Sequence, residues 1–544
     1  MEKSAFLFIA GLSLLSACGG GGGGSNSAPV SATPPSNNAP SSGWTAGVFE
    51  DADTFANLCA NPRSGTDPST ERLYTDRQGE ALDEKNWLRS WSNDLYLWYD
   101  EITDRDPGED YSSLIDSSFP TEPNAYFSVL KTEAVTPSGK PKDSYHFVID
   151  SQEWFELSQG GVSVGYGIEF AILSASPPRD VRIAYSQQTS TAAQLGLTRG
   201  TKILAIDGEP VVDGDPSVLN AGLRPSQVGE EHTFEILPLN ATESRVVTLS
   251  PESVSIDSLQ NETVISTSSG NVGYMSFHDH IAPAEQALVN AINDFVTAGI
   301  SDLIIDLRYN GGGYLDIASE LGYMVAGTRT QGRTFELLTF NDKYPNVNPV
   351  TGRTLTPIPF HNRAQGFSVA ENQPLPTVNL DRVFVITGGG TCSASEAFMN
   401  GLRGIGFEVI QIGTTTCGKP YGYYPTPNCG STYFSVQFKG VNDSGFGDYP
   451  DGFTPTQGGD VGGVEVIGCA VQDDFNHRLG DPNEARLATA LYYRDNGRCP
   501  EPISSLSRLS GGPNGALGTG IQGELTQSEA ELIKTPLRKM RVMR

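Results

Sequence analysis

The sequence predicts a multidomain α/β protein, on three observations. A chain of 544 residues is long enough for three or four domains. From 253 to 500, apolar strand-like runs alternate with helical stretches, such as Ala282 to Ala298 ahead of Leu303-Ile-Ile305, and that alternation favours an α/β core with its site at strand ends. From 159 to 252 the texture changes to short β-like runs broken by glycine turns, which indicates a separate β-rich domain.

The regions follow in order. Residues 1–18 have a charged start, Met1-Glu-Lys, an apolar stretch and a small-residue end before Cys18. The stretch is too short for an ordinary spanning helix and reads as an export signal. Leu15-Ser-Ala-Cys18 resembles a bacterial lipobox, which implies that Cys18 becomes the lipidated first residue of a mature protein held in the cell envelope. Gly19 after the cysteine resembles the pattern sent to the outer membrane, facing the periplasm. Residues 19–45, six glycines and then a Ser/Pro/Ala/Asn run, are expected to form a flexible tether. In 46–158, Trp87-Leu-Arg-Ser-Trp91 and Leu95-Tyr-Leu-Trp-Tyr99 place aromatic and aliphatic residues at roughly helical spacing, so a helical N-terminal domain is expected.

Residues 159–252 carry Thr191-Ala-Ala-Gln-Leu-Gly196 and Lys202-Ile-Leu-Ala-Ile-Asp-Gly208, a helical turn, a glycine, a strand and an Asp-Gly turn. This sequence resembles a PDZ domain. The loop Gly165-Tyr166-Gly167-Ile168 stands where such domains keep their carboxylate-binding loop, in which backbone N–H groups capture a terminal carboxylate while the peptide adds a strand to the sheet. Residues 253–500 form the expected α/β core. Residues 501–544 are Gly/Ser-rich at first and end in five basic residues among the last eleven. A flexible, solvated tail is expected, with contact to an anionic surface as the alternative.

With 36 Lys and Arg against 64 Asp and Glu, the net charge of −28 argues against nucleic acid as a partner. Six cysteines remain after Cys18, an even number consistent with three disulfides in an exported protein. Sequence allows 15 pairings. Cys417 with Cys429, and Cys59 with Cys499, are the expected pairs. Without a Cys-x-x-Cys spacing, no zinc or other metal site is expected.

Three segments carry chemistry. Thr391-Cys-Ser-Ala-Ser-Glu396 lies between an apolar strand, Val383-Phe-Val-Ile386, and a helix predicted to start near Glu396, a setting that exposes a serine and aims backbone N–H groups at an oxyanion. Ser393 is the candidate nucleophile. Thr414-Thr-Thr-Cys-Gly-Lys419 supplies a lysine in an uncharged turn, where desolvation favours the neutral, basic form. Asp306-Leu-Arg-Tyr-Asn-Gly-Gly-Gly313 follows Leu303-Ile-Ile305 as a strand breaking into a glycine loop that lets amides approach a ligand.

Together these segments resemble the C-terminal processing peptidases, or tail-specific proteases, whose pattern runs Asp-Leu-Arg-Asn-Asn-x-Gly-Gly, Ala-Ser-Ala-Ser-Glu and Thr-x-Gly-Lys. The resemblance implies that Ser393 is the nucleophile, Lys419 the general base 26 residues on, and the backbone N–H groups of Gly312 and Ala394 the oxyanion donors. It implies a serine endopeptidase acting on exposed or unfolded C-terminal segments of exported proteins, with no cofactor. Cys392 and Gly311 depart from the pattern without removing a reacting group. Tyr423 stands where many members have a glutamine that orients the lysine, which leaves the orienting group open. Two alternatives remain at this stage. Relatives with a Ser-His-Glu arrangement point to His278 and His280, and a non-catalytic peptide-binding adaptor lipoprotein could keep the same fold.

Overall fold

The computed structural model describes residues 44–501, except 69, 226–227 and 460–461, together with 531–533 and 540–542. The predicted export signal, Cys18 and nearly all of the tether lie outside the described residues, as does most of 501–544. Trp44 onward forms one compact unit. Among the described residues no helix is long and apolar enough to cross a membrane.

The region expected to be helical has one long helix, α1 (Ala81–Leu95), on which Trp87 and Trp91 stack at 5.3 Å and pack against Tyr433. Helical spacing holds only to Leu95; the backbone turns extended at Tyr96, and short strands and turns make up much of the rest.

The β-rich domain is an antiparallel sheet. Its strands are β2 (Ile168–Ser174), β3 (Asp180–Ser186), β4 (Lys202–Ile206), β5 (His232–Leu237) and β6 (Arg245–Leu249), in the order β6-β5-β4-β3-β2. The preceding β1 (Val162–Gly165) pairs instead with Glu252–Ser255. Phe170, Ile183, Ile203, Ile206 and Phe234 form the core, capped by the short helices Thr191–Gln194 and Pro216–Leu223.

The α/β core is built on β7 (Leu259–Thr267), β8 (Gly270–Phe277), β9 (Asp302–Asp306), β11 (Arg382–Thr387), β12 (Glu408–Gly413), β13 (Phe453–Gln457) and β14 (Val464–Ala470). The short strand β10 (Gly312–Tyr314) lies off this sheet. The order is β7-β8-β9-β11-β12-β14-β13, with β7 antiparallel and the rest parallel. Residues of one strand alternate between two cores. Leu303, Ile305, Val383 and Val385 face the helices α2 (Ala284–Ala298), α3 (Leu315–Ala326) and α4 (Ala394–Gly404), whereas Ile304, Phe384 and Ile386 face α5 (Ala485–Asn496). A sheet covered on both faces explains why its strands read as continuous apolar runs.

Two further strands complete the topology. β15 (Glu531–Ile533) pairs antiparallel with β2, and β16 (Met540–Val542) pairs parallel with β10.

The disulfides differ from the expected pairs: they join Cys59 to Cys429, Cys392 to Cys417 and Cys469 to Cys499. The hairpin holding Cys429 is carried to the N-terminal region by pairing with Phe147–Asp150, and Asn428 accepts the Asn57 N–H there. Cys499 follows α5 back to β14, and Cys392 and Cys417 follow the neighbouring strands β11 and β12. Partners are thus set by sheet order, which spacing along the chain does not record.

Candidate active site

Three adjacent parallel strands end at one edge of the core sheet, and each runs into one of the predicted loops. β9 leads to Asn310–Gly313, β11 to Ser393 and β12 to Lys419. The carboxyl edge of such a sheet is where α/β proteins assemble sites, so segments over 100 residues apart converge without long detours.

The first loop is anchored by charge. Asp306 receives Arg308 Nε at 2.9 Å and Tyr274 Oη at 2.8 Å, and the buried Arg308 also meets Glu484 at 2.8 Å and Asp473 at 2.6 Å. Asn310 then ties the loop to the serine turn: its carbonyl accepts Cys392 N–H at 3.0 Å and Ser395 Oγ at 3.2 Å. Its Oδ1 accepts Gly312 N–H at 2.9 Å. Gly313 has φ +136°, and a Cβ there would lie 2.3 Å from the His280 carbonyl oxygen, so only glycine fits.

Ser393 occupies strained backbone, φ 63° and ψ −111°, at the residue before α4. It is buried; its Oγ faces the Glu396 N–H in a capping box, and among the described residues its hydroxyl has no acceptor to donate to. Ala394 opens the helix, so its N–H has no intrahelical acceptor and stands beside the hydroxyl at the positive end of the helix.

Lys419 is buried as well. Its Nζ donates to Tyr423 Oη at 2.7 Å and lies 3.9 Å from the Tyr423 ring centre and 4.9 Å from that of Tyr145. Burial holds both phenols well above their ordinary pKa, so both are neutral, and Tyr145 Oη donates to the Gly418 carbonyl at 3.0 Å.

Glu396 joins the two turns. Its Oε2 accepts Ser393 N–H at 2.9 Å and Lys419 N–H at 2.8 Å, while Oε1 accepts Gly418 N–H at 2.8 Å and the Thr416 hydroxyl at 2.5 Å. Burial raises its pKa above the usual value, opposed by these four bonds. The Cys392–Cys417 disulfide adds a covalent tie between the same turns. Cys392, Glu396 and Cys417 are also the grouping of metal-type donors found among the described residues, but with both sulfurs in the disulfide they offer no thiolate to an ion.

His278 stacks on Tyr185 of the β-rich domain at 4.1 Å, and His280 Nδ1 meets Asn310 Oδ1 at 3.0 Å. Both are buried where the two domains and the glycine loop meet.

Gly165 ends β1, Tyr166 is buried edge-on to Phe234, and Ile168 begins β2. Gly167 has φ +69°, and a Cβ there would lie 2.4 Å from Ser190 Cβ. A cavity of about 990 Å³ runs from this loop past Tyr185 and Asp279 to Tyr145 and Tyr423, the two rings around Lys419.

Residues 271–436, from the start of β8 to just beyond Tyr423, match the family Peptidase family S41. That stretch is what the chain shares with the S41 peptidases. The matched stretch contains Gly312, Ser393 and Lys419 and leaves out the β-rich domain. No curated protein matches the sequence. Among solved structures, a candidate S41 protease from Bacteroides fragilis NCTC 9343 is 22% identical, covering 76% of this chain and 97% of its own, at a TM-score of 0.54, which shows a shared fold. A photosystem II D1 C-terminal processing protease is 16% identical over 68% of this chain and 90% of its own, at a TM-score of 0.38. Mature CPAF complexed with lactacystin is 15% identical over 67% and 91%, at 0.36.

Around the candidate site, sequence reasoning missed Glu396, Asn310 and Tyr145. Glu396 carried a legible signal, since a glutamate three residues after a helix-preceding serine is a capping pattern. Tyr423, at the position where the sequence leaves the orienting group open, accepts the bond from Lys419 Nζ. Gly312 N–H, expected at the oxyanion, is engaged with Asn310 Oδ1 in this state.

Proposed function

We propose that the chain is a serine endopeptidase that cuts exposed C-terminal segments of exported proteins with a Ser393–Lys419 dyad. The observation that carries this reading is the shared grip of Glu396 Oε2 on the backbones of Ser393 and Lys419, with the serine hydroxyl donating to no acceptor at a helix start. Such an arrangement presets a nucleophile and a base before substrate arrives.

Ser393 Oγ attacks the scissile carbonyl as its proton passes to neutral Lys419 Nζ. The oxyanion is met by Ala394 N–H and by Gly312 N–H, which exchanges Asn310 Oδ1 for the developing charge. Lys419 returns the proton to the departing amine, and the acyl-enzyme is then hydrolysed by water that Lys419 deprotonates in turn. The Tyr423 phenol holds Nζ in place throughout.

The β-rich domain serves as a PDZ-like peptide-binding module: an antiparallel sheet with two short helices, whose Gly165–Ile168 loop opens into the same cavity as the tyrosines around Lys419. Export and anchoring through a lipidated Cys18 rest on the sequence alone.

The test is cleavage of an unstructured peptide by the wild-type chain and by Ser393→Ala at matched thermal stability. Loss of turnover in the variant supports the reading. Cleavage surviving in Ser393→Ala refutes the nucleophile, and a wild-type chain that binds peptide without cutting it would be an adaptor.

A further inference from the structure

The two C-terminal strands lie on the two elements that the proposed reaction uses for its peptide. β15 adds to the free edge of β2, the strand that leaves the Gly165–Gly167 loop, with Glu531, Leu532 and Ile533 opposite Ile172, Ala171 and Phe170. Its direction is antiparallel, so the chain runs toward the loop, as a peptide presenting its C-terminal end to a carboxylate-binding loop must run. β16 pairs in register with the glycine strand, Met540, Arg541 and Val542 opposite Gly312, Gly313 and Tyr314. It also packs against α4, which begins one residue after Ser393, and against Tyr421–Gly422, two residues after Lys419. Three sides of β16 are therefore the oxyanion strand, the nucleophile helix and the lysine loop.

Charge favours the same arrangement. Residues 534–544 carry Lys534, Arg538, Lys539, Arg541 and Arg544, in a chain of net charge −28. The cavity between the two strand sites is lined by Asp150, Glu153, Glu169 and Asp279 as well as by Arg63 and Arg224.

We propose that the chain's own C-terminal segment is a built-in ligand of the peptide channel, held at β2 by Glu531–Ile533 and at the oxyanion strand by Met540–Val542, and that it competes with substrates in cis. The inference rests on the peptidase reading for its effect on turnover, but not for the binding itself. A tethered segment meets its site at an effective concentration in the millimolar range. With an intrinsic Kd of roughly 0.1 mM, it would raise the apparent KM about tenfold over that of a chain lacking it.

The experiment compares the full chain with a variant ending at Ala530, in two measurements. In hydrolysis of an unstructured peptide, the shortened chain should show a KM about tenfold lower, and a synthetic peptide of residues 526–544 should restore the higher value. In the Ser393→Ala background, amide hydrogen exchange at 170–172 and at Gly313, whose neighbours' N–H groups are bonded to Asn310 and His280, should be slow in the full chain, faster after truncation and slow again with the added peptide. Leu532→Pro with Arg541→Pro, which removes two backbone N–H groups and keeps the tail, should resemble the truncation. Unchanged exchange in both segments overturns the inference whether or not the chain cuts peptides. Absence of hydrolysis together with the expected exchange pattern overturns only the peptidase reading. Exchange protection that fades on dilution of the full chain overturns the cis arrangement.

Discussion

Replacing Glu396 with glutamine tests whether one buried carboxylate keeps Ser393 and Lys419, the proposed nucleophile and base, in register. The wild-type carboxylate receives four donors, two on each oxygen. A glutamine keeps one acceptor oxygen. Turned toward Ser393 and Lys419, it places its NH2 against Gly418 N–H and the Thr416 hydroxyl; the hydroxyl can rotate to accept, but the amide N–H cannot. One buried donor left unmatched costs about 1–3 kcal/mol. Part of this is offset because the variant no longer buries a charge, and burial already works against the ionised form of Glu396. Stability should therefore change little, with a Tm lower by only a few degrees. Turnover should change more, because a displacement on the order of 1 Å between reacting groups costs about 100-fold. We expect kcat to fall about 100-fold in Glu396→Gln, measured by steady-state peptide cleavage beside a thermal melt. The pH profile supplies a second reading. Burial raises the Glu396 pKa, so the wild-type activity lost on acidification through this group should fade above the ordinary carboxylate range, and the variant should lack that limb. A variant within threefold of wild-type kcat, with the acid limb unchanged, would refute the reasoning.

Three further outcomes are expected. Tyr423→Phe keeps the ring against Lys419 but removes the oxygen 2.7 Å from Nζ, so kcat should drop roughly tenfold at unaltered KM; an unchanged kcat would assign the tyrosine to packing alone. The double variant Cys392→Ser, Cys417→Ser opens a loop of sequence separation 25 and should lose about 3 kcal/mol in denaturant unfolding under oxidising conditions, a loss absent when both proteins are compared reduced. Glu320 is pushed up to about 9, first by burial and then by neighbouring Glu285, so between its ordinary 4.5 and 9 the folded chain holds a proton that the unfolded chain releases. Stability attributable to it must fall as pH rises through that window, by about 1.4 kcal/mol per unit. Glu320→Gln should flatten that slope in urea unfolding at pH 6 and 8, and equal slopes in the two proteins would contradict the assignment.

What could be read from the sequence was what local patterning controls. The apolar runs of β9 and β11, the helix after Ser393 and the glycine loop after Asp306 all stand where the residues indicated. Proximity across the sheet could not be read. The segments 414–418 and 420–424 contain no acid, and from the chain alone the lysine turn looks free of carboxylates; the fold brings Glu396 to its backbone from the neighbouring strand's helix. The disulfide partners failed for the same reason, since Cys429 reaches Cys59 only through a hairpin paired with Phe147–Asp150. In the N-terminal region the aromatic spacing continued past Leu95, but Tyr96 and Trp98 pack edge to face on extended backbone instead of extending α1.

The two halves of the site differ in how firmly they are held. Ser393 adopts a left-handed conformation that costs on the order of 1–3 kcal/mol in a residue with a side chain, and persists only where its surroundings fix it. Here the Glu396 carboxylate, the start of α4 and the disulfide to Cys417 all fix it, and the first and last of these also fix the lysine turn. Ser393 and Lys419, the proposed nucleophile and base, therefore move together or not at all. In the glycine loop the Gly312 N–H itself rests on a single side-chain oxygen, Asn310 Oδ1, and that bond must be given up before the N–H can serve an oxyanion. The step left for a bound peptide to drive is thus a local exchange at Gly312, on the strand where Met540–Val542 is paired. A peptide that docks along this strand would align the amide and displace the chain's own segment in one event, so occupancy of the strand, and not movement of Ser393 or Lys419, would set when the site is competent.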